Sequence, residues 1–148
     1  MAEGLFIHSY NKVSERYAIL DEFGDTGVLY LSEVGSQKPI KDAFAYMRAD
    51  PIDEETWKER MRAGEPPVLS TAIASKDAVI PEAKESDFNF LWSANGQAVA
   101  LLFQGRPIAF ISLNEKYGFS RAVAKESPIV KPWNQSLYEK LFKNTTEK

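Results

Sequence analysis

FNFLWSANGQAVALLFQGRPIAFISL, residues 88–113, is the most apolar run in the chain. Whether it spans a membrane, fills a core or lines a pocket decides the fold. Ser93, Asn95, Gly96, Gln97, Gln104, Gly105 and Arg106 cut it into runs of about 5 to 7 residues, far short of the roughly 20 apolar residues of a helical span. It reads as three strands. Asn95-Gly96 is a strong hairpin signal, because both residues tolerate the positive φ of a type I′ turn. With those two in the loop, Trp92 pairs with Val99, Phe90 with Leu101 and Phe88 with Phe103. Pro107 lacks an N–H, so Gln104-Gly105-Arg106-Pro107 is expected to be a four-residue loop. Phe103 then pairs with Ile108, and Leu101 with Phe110.

Period-two alternation gives this meander a bulky face (Phe88, Phe90, Trp92, Val99, Leu101, Phe103, Ile108, Phe110) and a slimmer one (Leu91, Ala98, Ala100, Leu102, Ala109, Ile111, Leu113). The small residues admit a helix closely. A candidate lies at the C-terminus, where Trp133, Leu137 and Leu141 recur every four residues beside Tyr138, with Asn134, or Lys131 with Pro132, as its start.

Upstream, RYAILDEF (16–23) and VLYLSE (28–33) flank GDTG, whose glycines and Asp25 suit a second hairpin. PIKDAFAYM (39–47) has both helical and strand-like spacing and is read as a strand. Asp50 as N-cap, Pro51 at the first helical position, acids in the first turn and Gly64 as stop predict a helix over 50–63. Residues 65–86, with prolines at 66, 67 and 81, have no sustained period and are expected to be a long, partly ordered connection. Residues 143–148 are expected to be a disordered tail.

At 148 residues the chain is the size of one domain able to bury about two thirds of its unfolded surface. Net charge is -3, from 18 basic and 21 acidic residues, which leaves no basic patch for a nucleic-acid backbone. Acids outnumber bases over 15–33, where Glu15, Asp21, Glu22, Asp25 and Glu33 face Arg16 alone. The absence of cysteine excludes disulfides, thiolate nucleophiles and cysteine zinc sites. With no basic-then-apolar leader at the N-terminus, a cytoplasmic location is expected.

The order DEFGDTG (21–27), VLYL, PIKDAFAY, LWSANGQAVALLFQGRPIAF and KYGFSR (116–121) resembles a family of short bacterial proteins of unknown function. Relative to that family, 47–86 is an expansion, and a cysteine near the position of Ser120 is missing. The family has no established activity, so the resemblance implies architecture alone. In size and style the chain is also similar to bacterial immunity proteins, which bind and neutralise a toxin.

Asp21, Glu22 and Asp25 offer hard carboxylate oxygens, but not at calcium-loop spacing, and Asp25 is explained by its own turn. No metal or cofactor is expected. His8 is the only histidine, with no orienting acid nearby in sequence, and phosphate-loop, G-x-S-x-G and H-E-x-x-H patterns are absent. Trp57 on a charged helix is either a cap on the core or a binding hot spot. Tyr117 and Arg121 after the meander suit a ligand or a partner's carboxylate, or a snorkelling surface arginine.

The expected fold is α+β: an antiparallel sheet of about five or six strands, a C-terminal helix on one face and a second short helix. The expected function is non-enzymatic binding of a protein partner, an immunity or inhibitor role against a toxin, through Asp21, Glu22, Asp25 and Trp57. The alternative is a small-ligand domain or enzyme using the bulky aromatic face as a pocket, with Tyr117 and Arg121 at its mouth.

Overall fold

In the computed structural model, residues 4–65, 68–125, 127 and 130–143 are described. Strands β1 (Phe6–Asn11), β2 (Arg16–Phe23), β3 (Thr26–Ser32) and β4 (Pro39–Met47) form an antiparallel sheet in sequence order. Strands β5 (Phe88–Trp92), β6 (Ala98–Phe103), β7 (Arg106–Ser112), β8 (Phe119–Ser120) and β9 (Lys131–Pro132) form a second sheet, also in sequence order, with only the β8–β9 pair parallel. Helix α1 (Glu54–Arg62) follows the first sheet and α2 (Gln135–Phe142) follows the second. The fold is α+β, but the strands make two sheets of four and five rather than one of five or six.

The reason for two sheets is burial. Each hairpin group has its own apolar face, and stacking one on the other covers both. Ala18 and Leu20 of β2, Leu29 and Leu31 of β3 and Ala43 of β4 share a core with Phe88, Val99, Leu101, Ala109 and Ile111 of the second sheet. Phe90, Trp92 and Phe103 pack against it. Trp92 Nε1 donates across the sandwich to Ser9 Oγ at 3.0 Å. The aromatic face of the meander is thus core, and a pocket there is already filled by the first sheet.

The β5–β6 register matches expectation pair for pair. Its turn differs in detail. Gly96 N–H bonds Ser93 O at 2.9 Å and Gly96 alone takes positive φ (70°), while Asn95 instead accepts from Gln97 N through its side chain. Gly96 also lies where a Cβ would come within 2.4 Å of Asn11 Oδ1.

The β6–β7 hairpin overturns the expected four-residue loop. Gln104 and Gly105 both take positive φ (50° and 84°) and form a two-residue turn closed by Phe103 opposite Arg106. Pro107 falls opposite Leu102, in the pair next to the closing one, where an antiparallel ladder asks no N–H of it. A bulge then skips Ile108, so Leu101 faces Ala109 and Ala100 faces Phe110. That single extra residue exchanges the faces beyond it. Ala109, Ile111 and Leu113 point into the sandwich, and Phe110 points to α2.

Helix α2 packs on the slim face as expected, with Phe142, Leu137 and Leu141 against Ala98, Ala100, Leu102, Phe110 and Phe119. Asn134 is its N-cap, accepting from Leu137 N at 3.0 Å. Trp133 precedes the helix and meets Tyr138 at 5.2 Å, a hydrophobic staple across the cap.

Helix α1 starts three residues later than Asp50-Pro51 suggests. Ile52 is taken into a bridge with Ser70, donating to Leu69 O and accepting from Thr71 N, and Asp53 becomes the cap, accepting from Thr56 N at 2.8 Å. Gly64 (φ 75°) follows the helix as expected. The connection after α1 is more ordered than its prolines imply. Val68, Leu69 and Ala78 are buried with Phe44, Met47, Val123 and Val130, and Val79 bridges Met47 at the β4 edge. The expected tail lies outside the described residues except for Lys143, the C-cap of α2. Among the described residues, no helix is long and apolar enough to cross a membrane.

Candidate functional site

The inner face of the first sheet is spent on the core; among the described residues, no helix covers its outer face over β1, β2 and β3. Cross-strand register sets the outer residues in rows, since directly opposed residues share a side. One row runs Phe6, Asp21, Val28, Phe44, and the next His8, Ile19, Tyr30, Asp42. Tyr10 and Tyr17 begin a third. Phe44, at the β4 end, is covered by the cluster around α1, so the open part lies over β1, β2 and β3 and extends to the exposed Asp42 of β4. Ile19 and Val28 are its buried floor; Phe6 (56% exposed) and Tyr10 (47%) stand free at its rim.

The rings touch. His8 lies edge-on to Phe6 and Tyr17, at 6.4 and 6.1 Å between centroids, and Tyr10 is tilted 5.0 Å from Tyr17. Among the described residues, neither Asp21 nor Asp42 is within ion-pair distance of a cation. Partial burial raises both carboxyls above their ordinary value, even though Asp42 is exposed as a residue. Burial also raises the Tyr30 phenol, and the fields of Asp21 and Asp42 add to it. The face is therefore an aromatic surface holding negative charge that solvent only partly stabilises.

This strain has a measurable sign. A carboxyl raised in the folded state adds most to stability below its unfolded value of 3.8, and that contribution is lost as pH rises through the folded value. Asp21→Asn with Asp42→Asn is expected to raise stability at neutral pH by a few tenths of a kcal/mol per site, solvent screening keeping the effect small. The gain should vanish below pH 3.8. Urea midpoints at both pH values check this, and a loss at neutral pH contradicts it.

The acidic stretch divides. Asp21 and Glu22 are consecutive strand residues and point to opposite faces. Asp21 joins the outer face. The Glu22 side chain, 4% exposed, is buried at the end of the sandwich. Its Oε1 accepts from Leu5 N at 3.0 Å, and its Oε2 accepts from Tyr46 OH and from Arg48 Nε at 2.9 Å and Nη2 at 2.8 Å. Arg48 donates further to Pro81 O and Ala83 O. Burial first, then the bond to Glu22, pushes the Tyr46 phenol far up. Tyr46 lies over Gly27, where a Cβ would come within 2.3 Å of the ring, so Gly27 serves close approach rather than the turn. Asp25 sits in the two-residue turn, its carbonyl accepting from Arg48 N at 2.7 Å. Among the described residues, no three acids or histidines gather to hold a metal.

Trp57 belongs to the cluster beneath α1, its Nε1 donating to Val68 O at 2.7 Å, so it caps core. Arg121 donates through Nε to Pro107 O at 2.7 Å and stacks 4.0 Å over Trp133. Burial first, then Arg106, lowers its guanidinium. The Tyr117 ring lies 5.4 Å from Lys116 Nζ and 6.0 Å from Lys131 Nζ. These three residues lie off the open part of the first sheet's outer face. Of the sequence candidates only Asp21 is on that face. Phe6, His8, Tyr10, Tyr17, Tyr30 and Asp42 complete it, and their signal was alternation: Phe6-x-His8-x-Tyr10 and Tyr17-x-Ile19-x-Asp21 repeat every two residues.

No family model, curated protein or solved structure matches this chain.

Proposed function

We propose that the chain is a non-enzymatic protein-binding domain, an inhibitor of the immunity type acting in the cytoplasm, that blocks a basic protein partner such as a toxin. One observation carries this reading: the open outer face of the first sheet, where tyrosine, phenylalanine and histidine rings surround two carboxyls lacking a described counter-charge. Tyrosine and phenylalanine give large contact area at low entropy cost and are enriched where proteins meet. A lysine or arginine from a partner would supply the missing cation and, by excluding water, strengthen the pairing. The bulky face of the second sheet, the basis of the pocket alternative, is occupied by core.

The test is capture from the native cell with the wild-type chain, together with inspection of the adjacent reading frame for a toxin domain. A captured partner is then titrated against Tyr30→Ala. Truncating a ring at the centre of the face is expected to weaken binding about 30-fold, the size of a hot-spot loss. A partner bound equally well by Tyr30→Ala, or no partner at all, removes this reading.

A further inference from the structure

An edge strand offers unpaired N–H and C=O groups, and proteins usually protect it with lysine, proline or a bulge. β1 has none of these. Its sequence is FIHSYN, without a charged residue, and its six residues pair with β2 in unbroken register. The opposite edge of that sheet opens with Pro39 and carries Lys41, and its far end is bridged, since Ile80 N donates to Met47 O and Met47 N to Ala78 O.

The direction of the free groups follows from the ladder. Glu22 N donates to Leu5 O at 2.8 Å, so Leu5 and, alternately, Ile7 and Ser9 bond toward β2. Phe6, His8 and Tyr10 direct their backbone groups outward. The bond from Trp92 Nε1 to Ser9 Oγ holds this edge against the second sheet, so it is presented as a fixed strand.

We infer that β1 pairs antiparallel with β1 of a second copy, about a two-fold axis through His8, joining the two four-stranded sheets edge to edge. In this register His8 faces His8, and Phe6 of each copy faces Tyr10 of the other. Every one of these residues has its backbone groups turned outward, so each pair exchanges both of its hydrogen bonds. The side chains also agree, since aromatic faces aromatic on the outer side and Ile7 faces Ser9 on the inner.

Charge selects a second copy as the occupant. The Phe6 end of the strand lies by Asp21 and Asp25, which have no described cation, whereas Glu22 at that end is already paired with Arg48. The Asn11 end, where Gly35 N donates to Glu15 O, carries Lys12, Arg16 and Lys38 against Glu15 and Glu33, a surplus of one positive charge. Antiparallel pairing therefore sets the basic end of each copy beside the acidic end of the other. The outer faces become one continuous surface across the joint.

Sedimentation equilibrium over a concentration series tests this. His8 N–H takes no part in the β1–β2 ladder and the side chain is exposed, so substitutions there leave the fold in place. Wild type is expected to dimerise with concentration. His8→Lys alone and His8→Glu alone should each be monomeric, because like charges then meet on the axis, and an equimolar mixture of the two should dimerise again. A wild-type chain monomeric up to about millimolar concentration overturns the inference. So does a dimer indifferent to His8→Lys, or a mixture that stays monomeric. Tyr30→Ala lies two strands from the edge and leaves the dimer unchanged, so partner binding and self-association can each fail without the other.

Discussion

Glu22→Ala is expected to cost about 3–5 kcal/mol, the loss seen when one member of a buried ion pair is removed. The carboxylate ties the Leu5 amide before β1 to the Tyr46 hydroxyl and the Arg48 guanidinium at the end of β4, and Arg48 in turn fixes the Pro81 and Ala83 carbonyls. Alanine orphans a buried phenol and leaves a cation, 23% exposed, without its anion. Glu22→Gln keeps one acceptor oxygen in place of two and removes the charge, so it satisfies Leu5 N or Tyr46 OH but not both, and should fall between alanine and wild type. Urea denaturation with an unchanged slope measures it. Amide exchange at Ile7 and Ser9 should quicken, because the start of β1 has lost its anchor. A cost below about 1 kcal/mol would mean that Arg48 and Tyr46 find water instead.

Phe110→Ala is expected to cost about 3–5 kcal/mol as well, by a different cause. Phe110 is fully buried, stacked 4.8 Å from Phe119 and edge-on to Trp133 at 5.2 Å and to Phe142 at 6.2 Å. Its removal leaves a cavity beneath α2. A helix of eight residues has no independent stability in water and persists only through this packing. Exchange protection of Leu137 and Leu141 should therefore fall further than that of β2 or β3. If both regions lose protection equally, α2 and the sandwich unfold as one unit.

Much of the architecture was legible because local chemistry and tertiary need agreed. β2 and β4 run over the residues expected, and the β5–β6 register follows from counting outward from a turn. The failures are places where something distant outweighed a local signal. Asp50-Pro51 reads as a helix start, but Ile52 is drawn into a bridge with Ser70, fifty-odd bonds of backbone away, and the cap moves to Asp53. Pro107 has no N–H to close a tight turn, yet the pairing places it where none is required. The extra residue Ile108 then inverted everything after it, and no periodicity in one strand announces a bulge in its pairing with another.

The candidate face was legible only in part for a similar reason. An acidic run in the sequence points to Asp21, Glu22 and Asp25 together, but a pleated strand sends neighbours to opposite sides. β1 was missed because Phe6, His8 and Tyr10 face outward and give no core pattern, while its inner residues Ile7 and Ser9 are too few to show one.

In both sheets every hydrogen-bonded neighbour is also the next strand in sequence. The ladders thus close only after short excursions of chain, apart from the β8–β9 pair, and each sheet can assemble from its own stretch, residues 6–47 or 88–132. The long-range closure left over is the meeting of the two halves across residues 48–87. Slow folding in this chain is accordingly expected to reside in that collision, with hairpins formed early and the shared interior sealed last.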